Sequence, residues 1–237
     1  TDKASDKTYA EQIYVNHNFG KDVAVRLGRQ PISFGDQGGW LYNGAKGYDG
    51  AQVAYNNGKL NATVGYGQFN VAEGDFVYDE DLNKADMFFA KAGYDFDFAK
   101  LGVDYIVFQD KHDSFDNTKP EIWGVNLNVP VQQFNVFGEY WKNTTYGDND
   151  TAWNAGLSYG KADWKKAGTW DLTVAYNDVD TNVYFGGSGL STDILKALPK
   201  AKNLTYWNAL ANVTLQKNVQ LHAEYAFSGD AEVGVEP

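Results

Sequence analysis

The stretch Trp170-Asp171-Leu172-Thr173-Val174-Ala175-Tyr176-Asn177 decides the fold. Trp170, Leu172, Val174 and Tyr176 share one side of an extended chain, aromatic at both ends and aliphatic between; Asp171, Thr173, Ala175 and Asn177 share the other. A period of two belongs to a strand whose faces meet different surroundings, and aromatics at both ends of an apolar row match the two interfaces of a bilayer. The layout recurs in Trp153, Ala155, Leu157 and Tyr159, in Phe134, Val136, Gly138 and Tyr140, and in Phe88, Ala90, Ala92, Tyr94 and Phe96. Six residues of strand rise about 20 Å, or roughly 15 Å after a tilt near 40°, so the paired aromatics fall just inside the edges of an apolar band about 25 Å tall.

Working outward, alternating segments are expected near residues 9–19, 23–30, 48–56, 59–69, 85–96, 101–109, 121–129, 134–142, 151–160, 169–178, 204–214 and 219–227, about twelve strands. Short turns alternate with longer polar links, which are residues 31–47, 70–84, 110–120, 143–150 and 179–203; only Lys161 to Gly168, a middling turn on the short side, departs from the pattern. Such alternation pairs each strand with its neighbour and puts all turns at one end. The expected fold is therefore an all-β, up-and-down antiparallel transmembrane barrel occupying residues 1–237. A soluble β-sandwich alternates too, but it uses crossing Greek-key links and needs no aromatics at both ends of a row. With the short turns periplasmic, both termini would lie outside the cell, so an odd number of strands is expected to be missing at each end.

Composition agrees. The mean hydropathy of −0.50 is low, but in a membrane barrel only alternate strand residues meet lipid. No run approaches the roughly 18 apolar residues of a spanning helix. The absence of cysteine removes disulfides and thiol chemistry, and a net charge of −11 argues against nucleic acid. Acidic clusters such as Glu73, Asp75, Asp79, Glu80 and Asp81, or Asp110, Asp113 and Asp116, read as solvated loops.

Catalytic parts are few. His17, His112 and His222 are the only histidines, and no Gly-x-Ser-x-Gly, His-Glu-x-x-His or phosphate-binding glycine loop is present. His222 beside Glu224 is the one candidate for a barrel-wall enzyme, and Gly186-Gly187-Ser188-Gly189 reads as a plain loop. Asp148-Asn149-Asp150 and Asp178-x-Asp180-x-Asn182 alternate oxygen ligands as a calcium site does, yet lack the glycine and distal glutamate of an EF-hand loop. A solvated loop is the simpler reading, and no metal or other cofactor is expected. Residues 190–198, with Ser191 or Thr192 as cap and Pro199 as stop, read as a short helix in the last long link.

The order Tyr14-Val15-Asn16, Phe19-Gly20, Val25-Arg26-Leu27-Gly28-Arg29-Gln30, Tyr48-Asp49-Gly50, Val53-Ala54-Tyr55 and Val64-Gly65-Tyr66-Gly67 resembles general bacterial porins. It is similar in particular to the major outer-membrane porins of diderm Firmicutes that carry an S-layer-homology domain. The resemblance covers about the first 70 residues, and the hairpin rhythm continues it. It implies a sixteen-stranded barrel, three strands preceding Thr1 and one following Pro237, that forms homotrimers among outer-membrane lipid and lipopolysaccharide. Attachment to the cell wall would run through the S-layer-homology domain, which these residues do not include.

The polar rows then carry the expected function. Arg26, Gln30, Lys91, Asp95, Asp104, Glu139, Asp171, His222 and Glu224 should line a water-filled lumen, with Lys91 and Asp104 meeting across a turn. By the family's strand count, residues 31–47 form the loop that folds inward and narrows the channel. Glycines permit its bends, Trp40 and Tyr42 should pack on the wall, and Asp36 and Lys46 should project near Arg26 and Arg29. The expectation is an outer-membrane channel, not an enzyme, for passive diffusion of ions and small hydrophilic solutes. Two positive lumen charges against five negative ones imply weak cation preference. The alternatives are a structural or tethering barrel plugged by its loops, and a barrel enzyme.

Overall fold

A computed structural model describes residues 10–36, 39–70, 85–109, 119–183 and 201–232. The described residues form twelve strands and no helix: β1 (Ile13–Phe19), β2 (Val23–Phe34), β3 (Tyr42–Asn56), β4 (Leu60–Phe69), β5 (Asp86–Asp95), β6 (Lys100–Gln109), β7 (Glu121–Val131), β8 (Phe134–Asn143), β9 (Thr151–Gly160), β10 (Trp170–Asp180), β11 (Asn203–Gln216) and β12 (Val219–Glu232). They make a single antiparallel sheet in sequence order, with β1 and β12 at its edges. All twelve expected strands are present. Residues 190–198 and 186–189, where a helix and a glycine loop were expected, lie outside the described residues, as do His112 and the acidic clusters of residues 73–81 and 110–116.

Each short turn contains a residue of positive φ, among them Gly58 at 95°, Asp97 at 72° and Asn218 at 65°. That conformation lets a tight connection follow the right-handed twist of its strands. Asp97 is held there by its own neighbours, its backbone N–H donating to the Asp95 carboxylate at 2.9 Å.

The register sorts side chains onto two faces. One row runs Leu60, Tyr94, Leu101, Leu127, Gly138, Ala155, Tyr176, Trp207 and Phe227 across β4–β12. A parallel row on the other face runs Asn56, Asn61, Gly93, Gly102, Asn126, Glu139, Asn154, Asn177 and Tyr206. On the first, outer face large apolar side chains stand exposed, including Leu127 at 45 %, Val136 at 50 % and Leu157 at 44 %. Aromatic contacts edge this face in two belts. Trp153, Tyr176 and Trp207 touch in series on the long-link side, and Phe134, Tyr159 and Trp170 on the short-turn side. The aromatics of each pair Phe88 and Tyr94, Phe134 and Tyr140, Trp153 and Tyr159, and Trp170 and Tyr176 stand six positions apart on one strand.

The inner face changes character along the strands. Near the short turns it is polar. Near the long links it carries Phe69, Met87, Phe89, Ile106, Phe108, Ile122 and Trp141, none more than 2 % exposed. These residues form one cluster with Phe34, Trp40, Leu41 and Tyr42 of the β2–β3 connection. Edge-on ring contacts of Phe34 with Phe89 (5.7 Å), Tyr48 with Phe89 (5.4 Å) and Phe69 with Phe108 (5.4 Å) lock it; each adds about 0.5–1.5 kcal/mol beyond apolar burial.

Candidate functional site

β2 and β3 run longer than the sequence pattern suggests, through Pro31 on one strand and Gly47 on the other. Pairing jumps from Gln30↔Tyr48 to Ile32↔Gly44, so Pro31 alone faces three residues of β3. A proline without an N–H is tolerated where the ladder is already broken, and such a bulge bends the hairpin. Gly47, at φ 46°, lets the backbones close up, since a Cβ there would collide with the Gln30 carbonyl oxygen.

Beyond this bend the hairpin lies across the inner face. Lys91 Nζ on β5 donates to the Ser33 carbonyl at 2.6 Å and sits 5.5 Å from the Phe34 ring centre. On β7, Asn128 donates to Asp36 Oδ2 at 2.6 Å. The Asp36 backbone N–H donates to Glu139 Oε2 on β8 at 3.3 Å, and Trp40 Nε1 donates to Asn177 Oδ1 on β10 at 2.9 Å. β10 lies seven strands from β3 in the sheet, so the tip reaches far across the inner face.

Glu139 is the centre of this docking. Its side chain is buried among Trp141 Nε1 (2.9 Å to Oε2), Asn154 Nδ2 (3.3 Å to Oε1) and the tip's own N–H. Gly35 passes so close that a Cβ there would overlap Oε2. Among the described residues no cation forms an ion pair with Glu139.

All nine residues expected on the polar rows share this inner face: Arg26, Gln30, Lys91, Asp95, Asp104, Glu139, Asp171, His222 and Glu224. Lys91 and Asp104 do meet, at 3.7 Å across the β5–β6 hairpin. Lys100, which sequence reading passed over, joins the set by pairing with Asp95 at 3.4 Å. Trp40 and Tyr42 pack inward as expected, at 5 % and 0 % exposure. Two expectations need correction. Asp36 bonds to β7 and β8 rather than projecting toward Arg26. Arg29 has the opposite parity, faces outward and grips Asp49 with two bonds of 2.8 and 2.7 Å. His222 and Glu224 share one face as expected, and His222 Nδ1 lies 2.8 Å from Asn212 Oδ1. The side chain of Lys46 lies outside the described residues.

Three of the carboxylates considered for calcium, Asp150, Asp178 and Asp180, have protein partners. Asp150 accepts from Lys142 at 2.6 Å, Asp178 and Asp180 both accept from Asn203, and Asp180 also accepts from Thr151. Among the described residues no group of three or more His, Cys, Asp or Glu is arranged to hold a metal ion.

What sequence reading missed is the set of tip-docking partners Ser33, Asn128, Trp141, Asn154 and Asn177. A signal existed for the surrounding packing: Met87-Phe88-Phe89 and Tyr105-Ile106-Val107-Phe108 are apolar at successive positions, which marks strand ends covered on both faces. No protein-family model matches the chain, and no curated protein matches it.

Proposed function

We propose that this chain is the barrel of a bacterial outer-membrane porin, a water-filled channel for passive diffusion of ions and small hydrophilic solutes. The observation that carries the reading is the opposition of the two faces. Outside is an exposed apolar band edged by two aromatic belts; inside is a charged and carboxamide-rich surface crossed by one bent hairpin. An apolar band of that kind suits lipid, and closure of the sheet would remove its edges, as hydrocarbon requires. The inner charges suit a wet interior. The porin family and its homotrimeric state are proposed from the motif order of residues 14–67; outer-membrane lipid and lipopolysaccharide would be the surroundings.

Among the described residues of the inner face Arg26, Lys91 and Lys100 stand against Asp36, Asp95, Asp104, Glu139, Asp171 and Glu224, three positive charges against six negative. With Arg29 turned outward, the arginine contribution to the channel field falls to Arg26 alone. A low-dielectric wall focuses this imbalance. Reconstituted in planar bilayers, the protein is expected to give stable open steps with weak cation preference under a potassium chloride gradient, fading as salt screens the charges. The apolar packing of Phe34, Trp40, Leu41 and Tyr42 favours a second reading, a structural barrel plugged by its hairpin. A silent bilayer would select that reading, and a clear anion preference would overturn the charge argument.

The assignment of faces has its own test. Val174 belongs to the outer rows and Thr173 to the inner, where its hydroxyl lies 2.8 Å from that of Ser158. Spin labels at the two positions in lipid vesicles should report opposite environments, Val174 to an apolar relaxant and Thr173 to an aqueous one. Aqueous access at both would refute the membrane reading.

A further inference from the structure

We propose that the polar cavity beneath the hairpin tip is a binding subsite for neutral, hydroxyl-rich solutes of mono- or disaccharide size. The proposal rests on the diffusion-channel reading, which puts this cavity on the path of a solute.

The cavity has a volume of about 590 Å³ and lies on the inner face of β4–β8 at the short-turn end, roofed by Gly35 and Asp36. That is within the roughly 300–1,000 Å³ of small-molecule sites. Its floor is the cross-strand pair Gly93↔Gly102. Neither glycine needs an unusual backbone; what each supplies is room. A Cβ at Gly93 would meet the Asn61 amide at 2.8 Å, and one at Gly102 would press into the amide of Asn126. The amides thus lean over the glycines.

The chemistry of the walls selects the ligand. Charges are matched within the protein, Lys91 to Asp104 and Lys100 to Asp95, while Asp36 accepts from Asn128. What remains is amphoteric. The side chains of Asn61, Asn126 and Asn135 make no hydrogen bond to the described residues, and each offers both donors and an acceptor. An ion of either sign would use only half of this capacity. A hydroxyl group donates and accepts at once, so several hydroxyls on one small ring can satisfy the donors and the acceptors of these carboxamides together.

The test is binding of glucose and sucrose to the full chain in an amine-oxide detergent, since glycoside detergents carry the ligand chemistry themselves. Saturation-transfer NMR should detect both sugars. Asn126→Ala should weaken binding by about tenfold, the loss of one or two neutral hydrogen bonds, and Gly102→Val should abolish it by filling the floor. The Asn126 side chain makes no hydrogen bond to the described residues, so its variant keeps the test valid if Gly102→Val fails to fold. Absence of sugar binding, binding indifferent to both substitutions, or tighter binding of gluconate or lysine would overturn the proposal. Sugar binding by a protein that conducts no current would sink the channel reading and leave the subsite standing; current without sugar binding would do the reverse.

Discussion

Replacing residues 35–41 by an Asn-Gly turn is expected to raise single-channel conductance several-fold. The cut is placed where the register allows it. Phe34 and Tyr42 are paired across β2 and β3, and Asn-Gly closes such a pair with the type I′ turn that hairpins favour. Removed with the tip are Asp36 and its bonds to Asn128 and Glu139, and Trp40 with its bond to Asn177. Phe34 and Tyr42 remain against Phe89 and Phe69, so the bend at Pro31 and the start of the apolar cluster survive. Stability will fall, because loss of a buried tryptophan costs about 3–5 kcal/mol. The expected signature is larger open steps and a weaker dependence of conductance on solute size. Unchanged steps would mean that the tip lies beside the conducting path rather than across it.

The fold was legible because a sheet between two unlike surroundings writes its period into the sequence. Trp170 to Asn177 alternates at every position, and the strand found there, Trp170–Asp180, begins and ends within two residues of the expected one. Where the surroundings become alike, the alternation disappears. Phe88 faces out and Phe89 faces in, both apolar, because the docked hairpin makes the inner surface dry at that level. Residues 31–47 were the hardest to read. Pro31 and the glycines signal a loop, and they do permit the bend expected of it, yet pairing resumes past them through the bulge. The partners of the tip were invisible for a different reason. Asn177 and Trp40 are 137 positions apart, and only the bent hairpin lying across the inner face brings them together. Parity also explains the one misplaced arginine: Arg26 and Arg29 differ by an odd number of positions and so take opposite faces.

Substitutions at Glu139 are expected to separate the worth of the docking bonds from the worth of the charge. The carboxylate accepts from Trp141, from Asn154 and from the tip's Asp36 N–H. Glu139→Ala strands three donors in a buried site at about 1–3 kcal/mol each, so a total loss above about 3 kcal/mol is expected, together with noisier current as the tip loses its central anchor. Glu139→Gln behaves differently. Its carbonyl oxygen can still accept from Trp141 and from Asp36 at the position of Oε2. Its new amide donates to Asn154 Oδ1, which has no donor among the described residues, once the Asn154 carboxamide turns over. The three contacts persist, and the cost of burying a charge without a cation is removed. Thermal unfolding in detergent should therefore rank Glu139→Gln at or above the native protein and Glu139→Ala well below it. If the two variants lost equal stability, the negative charge itself would be holding the tip, and if neither lost any, the tip would be anchored by its apolar side chains alone.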